Sequence, residues 1–394
     1  MNLLFVLEEN ESKPSGVVSL VKNKIENWKS SDYIYILLNK NHWAYSDFKK
    51  IKRKNYKVIK LQFAISDEIN IYLKKKIQSD IVYKFIRFFL IPLEFLLNLR
   101  LFLHIRNLIK LYKIKGVFSH NGGWPGGILN RISLISLINM NIKRILIIHN
   151  FPAKKNLFNY FFIELNNLLV KISNIKLITV SKSCKKDLII SSGFNKIKVI
   201  YNGLSENIKK YKKIKRGKTK IHLNYFGKIE HRKGLHLLIQ ALNDVKLNDI
   251  ILNIYGDGDL NYKKSLKFLK KNKSYTLNFN KPISDITKVL ENTDILILPS
   301  IQFESFGMVL IEAMRQKIPI ISSNSGGIKE VVKNNKNGLT FKNNNVDDLR
   351  KKIEILVKSK LLRIKLGNRG YRIFKNKFTN KRFIQEYEKI TNDK

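Results

Sequence analysis

Short runs of apolar residues, each followed by a loop and then a stretch at helical spacing, recur along the sequence and limit the folds open to it. Residues 3 to 7 (LLFVL) and 34 to 38 (IYILL) are the first two. Their length and apolar character suit strands covered on both faces. Between them, KPSGVVSLVKNKIENW starts with Pro14 and Gly16 and sets Val18, Val21 and Ile25 at helical spacing. Strand, glycine-containing loop, helix, strand is the opening of an α/β unit. The order starts afresh at IHLNYFGKIEHRKGLHLLIQALN, where HLNYF leads to Gly227, a loop, and a helix carrying Leu235, Leu238, Ile239 and Leu242. At 394 residues the chain has room for two such domains. The charged, apolar-poor SENIKKYKKIKRGKTK between them reads as an interdomain linker.

The most informative stretch for chemistry is PSIQFESFGMVLIEAMR, residues 299 to 315. The apolar strand ILIL ends at Pro299, a polar loop follows, and a helix is expected from near Gly307, carrying Val309, Leu310, Ala313 and Met314. Ser305, Phe306 and Gly307 then bring backbone N–H groups to a helix N-terminus, where unpaired donors and the macrodipole favour an anion. Glu304 precedes the helix and Glu312 lies on it. Two carboxylates flanking an anion hole suit a ligand with a diphosphate and two hydroxyl-rich ends, as in a nucleotide sugar. Solvated or capping glutamates are the plainer reading. In the loop after HLNYF, Lys228, Arg232 and Lys233 crowd beside Gly227. Fixed cations there would stabilise charge building on a departing phosphate.

Two strands earlier in the chain end in histidine: His120 after VFS and His149 after ILII. Carboxyl ends of strands face the ligand crevice in open α/β sheets, so both imidazoles would be delivered there to bind hydroxyls or move protons. Glycines 122, 123, 126 and 127 would open room for an acceptor. Asp257 and Asp259, in the turn after IILNIY, invite a metal-binding reading; their place in a glycine-rich turn argues against it, and no metal is expected.

Composition sets the partners. Lys and Arg number 75 against 30 Asp and Glu, a formal charge of +45. The lysines spread along the whole chain, which fits compositional drift better than a nucleic-acid arm, although polyanions must be attracted at low salt. An anionic membrane surface is an expected partner, and specific nucleic acid is not. The single cysteine, Cys184, excludes a disulfide framework and fits a reducing compartment. MNLLFVLEEN lacks a basic start and reads as a first strand rather than a signal peptide. Residues 81 to 115 are dense in Leu, Phe and Ile, but Arg87, Glu94, Arg100 and Arg106 interrupt them, arguing against a spanning helix. Polar residues scattered around the helix favour burial in the first domain over an interfacial position. The basic ends, Arg87 and 110 to 115, would suit an anionic surface.

Glu304 and Glu312 with the intervening SFG resemble the Glu-x7-Glu motif of glycosyltransferase family 4, the retaining GT-B sugar transferases. The likeness covers nearly the whole chain and is most specific over 225 to 340. FGK…RKG resembles the family's G-R-x(4 or 5)-K-G, with Lys228 where arginine is usual. His120 resembles the HxH strand end and His149 the T-x-H strand end. Ser181, an expected helix N-cap, Asn202-Gly203, the G-x-G at 256 to 258, Gly326-Gly327 with Glu330, and NGLTF match further elements.

The resemblance implies a GT-B fold: two Rossmann-like domains facing across a deep cleft. An acceptor-binding domain would span 1–204, with about 376–394 crossing back, and a nucleotide-sugar-binding domain 205–375. It implies retaining, metal-independent transfer of a sugar from a nucleotide-diphosphate sugar, a UDP-sugar first of all, with no cofactor. The acceptor would be a glycan or lipid-linked glycan of a cell-surface polysaccharide, met at the inner face of the cytoplasmic membrane. Glu304, Lys233, Lys228 and His149 would be catalytic, with His149 on the transferred sugar and His120 on the acceptor side. Donor contacts would come from Gly16, Gly227, Arg232, Ser305, Phe306, Gly307, Met308, Val309, Glu312, Gly256, Lys281 and Ile283. The alternatives are a nucleotide-sugar epimerase of the same fold, or a non-enzymatic basic protein binding membrane or nucleic acid.

Overall fold

A computed structural model describes residues 1–9, 16–156, 160–207, 220–245, 247–283 and 285–392. Most of the expected linker, 208–219, and Pro14 and Ser15 before Gly16 lie outside these residues. The chain divides into two compact units, Met1–Ile200 with Ile384–Lys394, and Tyr201–Phe383.

The first unit runs β1 (Asn2–Leu7), α1 (Gly16–Asn27), β2 (Tyr33–Leu38), α2 (Tyr45–Lys49), β3 (Tyr56–Lys60), α3 (Ser66–Lys76) and α4 (Asp80–Leu111). It continues through β4 (Gly116–Asn121), α5 (Ile128–Ile135), β5 (Lys143–Ile148), α6 (Tyr160–Ile172), β6 (Lys176–Thr179), α7 (Lys182–Ser192) and β7 (Ile197–Val199). Its seven strands are parallel, in the order β3-β2-β1-β4-β5-β6-β7. The apolar runs are buried because a parallel sheet takes helices on both faces. Phe5 stacks on Phe118 of the neighbouring β4 with ring centroids 5.1 Å apart, and Trp28 meets both rings edge-on. Ser181 caps α7, its hydroxyl accepting the Cys184 amide at 3.1 Å.

Helix α4 departs from the expected burial. Leu101, Ile105, Leu108 and Ile109 enter the core, but none of residues 81–100 is buried. One side of this segment is half-buried, with Asn98 accepting the Ser66 hydroxyl of α3 at 2.9 Å, and the other side is exposed.

The second unit contains β8 (Ile221–Phe226), a 3-10 turn at His231–Lys233, α8 (Leu235–Asn243), β9 (Ile250–Tyr255), α9 (Leu260–Leu269), β10 (Tyr275–Asn280) and α10 (Thr287–Leu290). There follow β11 (Ile295–Leu298), α11 (Met308–Arg315), β12 (Ile320–Ser323), α12 (Ile328–Val331), β13 (Leu339–Phe341), α13 (Val346–Lys358) and α14 (Lys360–Lys377). Its parallel sheet has the order β10-β9-β8-β11-β12-β13. The last helix, α15 (Asn380–Asn392), begins here, and its residues from Ile384 group with the first unit. There Tyr387 is fully buried beside Phe118 and Lys24.

A row of polar side chains crosses the apolar second sheet. Asn278 donates to Asn253 at 3.0 Å, Asn253 to Asn224 at 2.9 Å, and Asn224 to Thr293 at 2.7 Å. The three asparagines are paired in register on β10, β9 and β8, so one face of the sheet carries a continuous hydrogen-bonded chain.

Phe118→Ala removes the ring at the centre of the first unit's aromatic cluster. Denaturant unfolding is expected to show a loss of about 3–5 kcal/mol.

Candidate functional site

In the second unit β8 and β11 are neighbours although not consecutive in sequence. The chain leaves β8 toward one side of the sheet and returns to β11 on the other, which opens a space at their carboxyl ends. The loop after β8 carries Gly227, Lys228, Arg232 and Lys233, and the loop after β11 carries residues 299 to 307.

Backbone contacts clamp the two loops together. The amides of Ile301 and Gln302 donate to the Arg232 carbonyl at 3.0 and 3.3 Å. Gly234 has a φ of +69°, and a Cβ there would lie 2.0 Å from the Pro299 carbonyl oxygen. Glycine meets both demands because it has no Cβ. Held this way, Lys233 donates from Nζ to Glu304 Oε1, and the Ser300 hydroxyl donates to the same oxygen at 2.8 Å. The Lys233 and Glu304 side chains are only 13% and 14% exposed. Burial pushes the Glu304 carboxyl up, but Lys233, the Ser300 hydroxyl and Arg232 outweigh it and hold the group below the usual carboxylate range. Arg232 also pairs with Glu230 at 2.6 Å.

Glu304 is fixed from its other side by Gly326 and Gly327. The Gly327 amide donates to the Glu304 carbonyl at 2.7 Å, and a Cβ on Gly327 would lie 2.1 Å from the Ser305 carbonyl oxygen. Sequence reasoning passed over Ser300, and it noted Gly234, Gly326 and Gly327 without assigning them to the site. The glycine pair before a helix was the available signal; Ser300 carried none.

Helix α11 starts at Gly307, whose φ is +83°. Among the described residues, the amides of Phe306, Gly307, Met308 and Val309 reach no acceptor. The Phe306 ring is buried against Tyr201 and Phe378, at 6.1 and 5.7 Å between centroids. The core thus holds the side chain and leaves the amide without a protein acceptor. Further along α11, Glu312 is partly buried and makes no hydrogen bond or ion pair among the described residues. Burial raises its carboxyl to about 7; Arg315 works against this and Asp285 adds to it.

The remaining predicted residues lie farther out on this sheet edge. Lys228 is exposed, and its carbonyl accepts the Tyr225 hydroxyl at 2.8 Å. A Cβ on Gly256 would come within 1.9 Å of the Gly227 carbonyl oxygen, so this glycine packs the β8 and β9 loops closely. Lys281 and Ile283 are exposed beyond β10, two strands from β8. Asp259 caps α9 by accepting the Tyr262 amide at 2.8 Å, and Asp257 accepts the Gly258 amide at 2.9 Å. Among the described residues no cluster of three or more His, Cys, Asp or Glu side chains is arranged to hold a metal ion.

In the first unit the two histidines meet. His120 Nδ1 lies 3.0 Å from His149 Nε2, with the rings stacked 5.3 Å apart. Burial drives both pKa values down, and the nearby Lys24 adds to the effect, taking His149 to about 3. Two neutral rings therefore share one hydrogen bond at physiological pH, which suits binding a hydroxyl and not carrying a proton. Gly16 opens α1 with clear space beside it. The glycines after β4 do not all make room, contrary to expectation. Where Gly126 and Gly127 lack side chains, Asn121 and Glu8 fill the space, 1.7 and 2.1 Å from an added Cβ, while Gly122 faces open space.

Residues 206–373 match the family described as "Glycosyl transferases group 1". The matched residues make up most of the second unit. Among relatives of the whole chain, an uncharacterised glycosyltransferase of Methanocaldococcus jannaschii is 29% identical over 291 residues, 72% of this chain and 77% of that protein. The capsular polysaccharide biosynthesis glycosyltransferase CapM of Staphylococcus aureus is 27% identical over 254 residues, 60% of this chain and 66% of that protein. Anabaena HepE, solved in complex with UDP-glucose, superposes with a TM-score of 0.70 at 18% identity, covering 100% of both chains. The likeness fixes the fold: two parallel-sheet, Rossmann-like α/β units of the GT-B glycosyltransferase kind. The lysine–glutamate pair and the amides at the start of α11 lie within the matched residues, in the loops after β8 and β11.

Gly327→Ala must push the 304–305 backbone aside. Turnover is expected to fall at least tenfold while circular dichroism stays native, because the displaced loop carries Glu304. For Glu312 the folded pKa lies above that of the unfolded chain. The stability this contributes is complete below about pH 4.5 and is lost as pH rises through 7. Melting curves of Glu312→Gln are therefore expected to gain on wild type between pH 5 and 8, by up to about 3 kcal/mol.

Proposed function

We propose that the protein is a retaining, metal-independent glycosyltransferase that moves a sugar from a nucleotide-diphosphate sugar, a UDP-sugar first of all, to a glycan or lipid-linked acceptor. The observation that carries this is the Lys233–Glu304 pair beside four amides without acceptors at the start of α11. The arrangement supplies cations and donors for a diphosphate and a carboxylate for hydroxyls.

In this reading the amides of Phe306 to Val309, with Ser305 and Arg232, bind the diphosphate, and Lys233 and Lys228 neutralise the leaving phosphate. Glu304 grips the sugar hydroxyls. Glu312 takes the ribose, with Gly16, Gly227 and Gly256 allowing close approach and Lys281 to Ile283 flanking the base. His149 contacts the transferred sugar, and His120 stands on the acceptor side of it. The bond between the anomeric carbon and the β-phosphate oxygen breaks, and the acceptor oxygen bonds to that carbon on the same face. The acceptor's proton passes to the departing phosphate. Negative charge grows on the phosphate as the bond breaks, so fixed cations and amides lower the barrier more than they stabilise the bound donor. The relatives' printed names, capsular polysaccharide biosynthesis among them, support a cell-surface polysaccharide as product; its synthesis at the inner face of the cytoplasmic membrane is part of the proposal.

Glu304→Gln and Lys233→Met are each expected to lower sugar transfer by about 10²–10³ with the folded circular dichroism spectrum retained. Transfer is followed by nucleotide release and product analysis across a panel of nucleotide sugars. Undiminished turnover in both variants, or no nucleotide sugar raising the melting temperature, overturns the assignment.

A further inference from the structure

Helix α4 is 32 residues long, and its first twenty lie outside the core of the first unit. Ile81, Phe85, Phe88, Phe89, Phe95 and Leu96 are all more than half exposed, Phe88 at 67%. At about 100° per residue these positions fall within about 120° of the helix circumference, one broad exposed stripe. An apolar stripe of this width calls for an apolar surrounding, and exposed patches of this kind mark interaction surfaces. On α6, Phe161, Leu165, Leu168 and Ile172 are exposed at spacings of four, three and four, one helical stripe, with Phe161 86% exposed. The two helices lie on the same side of the sheet. Leu101 and Ile105 of α4, Leu129 and Ile132 of α5 and Val170 of α6 belong to one core cluster, and the Arg131 guanidinium of α5 sits 4.6 Å over the Phe162 ring.

Charge decides what covers this surface. Lys74, Lys75 and Lys76 end α3 just before α4, and Lys84, Arg87 and Arg100 lie along α4. Glu94 is already engaged by Arg87 at 3.5 Å. A second copy of the chain would bring another +45 against the same cations. A bilayer with anionic headgroups offers both hydrocarbon and negative charge. By length and composition α4 could cross a membrane, but the sheet forbids it. β3 before the helix and β4 after it lie in the same seven-stranded sheet, so both ends must stay on one side. α3 is also tied alongside α4, with Ser66 donating to Asn98 at 2.9 Å.

We propose that α4 lies in the plane of an anionic bilayer surface, its 81–100 segment sunk among the upper acyl chains, with the exposed stripe of α6 as a second contact and the lysines of α3 on the headgroups. The physics is independent of the transferase reading; its purpose, bringing the chain to a lipid-linked acceptor, rests on that reading.

The test is co-sedimentation of the full chain with vesicles of phosphatidylcholine, alone or mixed with phosphatidylglycerol, at physiological salt. Wild type is expected to sediment with the mixed vesicles and only weakly with the neutral ones. The triple variant Phe85→Asp, Phe88→Asp, Phe89→Asp is expected to lose at least tenfold in partitioning with an unchanged melting curve, since none of these side chains is in the core. A Phe88→Trp reporter is expected to be quenched by bromines placed high on the acyl chains and not by bromines at the bilayer centre. Equal sedimentation of wild type and triple variant, or quenching strongest at the centre, overturns the proposal. So does a wild-type dimer by light scattering that the triple variant dissolves, which would make this a self-association face. Nucleotide-sugar thermal shifts on the same samples report separately. Their absence beside intact vesicle binding defeats the transferase reading alone, and the reverse result defeats the membrane surface alone.

Discussion

The position of one carboxylate, Glu304, depends on two glycines that let carbonyl oxygens approach where any other residue would collide. Gly234 admits the Pro299 carbonyl and Gly327 that of Ser305. Between these contacts the loop after β11 has little freedom, and Lys233 arrives at hydrogen-bonding distance without a long flexible search. Preorganisation of this kind means that electrostatic stabilisation requires no rearrangement when charge appears. The amides at the start of α11 share the same rigidity, because the Phe306 ring is locked in the core behind them.

The two units treat buried ionisable groups in opposite ways. In the second, Glu304 keeps its charge because a lysine, a hydroxyl and an arginine compensate for lost water. In the first, His120 and His149 have each other and no acid, and burial leaves both neutral. Glu312 stands between these cases, with Arg315 offsetting only part of the burial.

Much of the fold could be read from the sequence because parallel strands buried on both faces leave unbroken apolar runs, as LLFVL, IYILL and ILIL do. The lysine and glutamate of the candidate site were legible for a related reason: both stand in loops directly after such strands, where topology delivers side chains to one edge. Other features depend on distant contacts that no local pattern encodes. That Asn121 and Glu8 fill the space beside Gly126 and Gly127 is visible only in three dimensions, as is the His120–His149 hydrogen bond. The misreading of α4 has a different origin. Apolar residues normally predict burial, and a helix apolar on every side gives no directional sign of whether protein or another medium surrounds it.

The asparagine row across β8, β9 and β10 bears on how this chain avoids misassembly. Its strands are rich in interchangeable isoleucine and leucine, so greasy contacts alone discriminate poorly between alignments. Slipping one strand by a single residue would turn its asparagine to the opposite face and strand the amides on either side. Each orphaned amide costs about 1–3 kcal/mol, enough for a few hydrogen bonds to edit out shifted pairings while the sheet is being assembled.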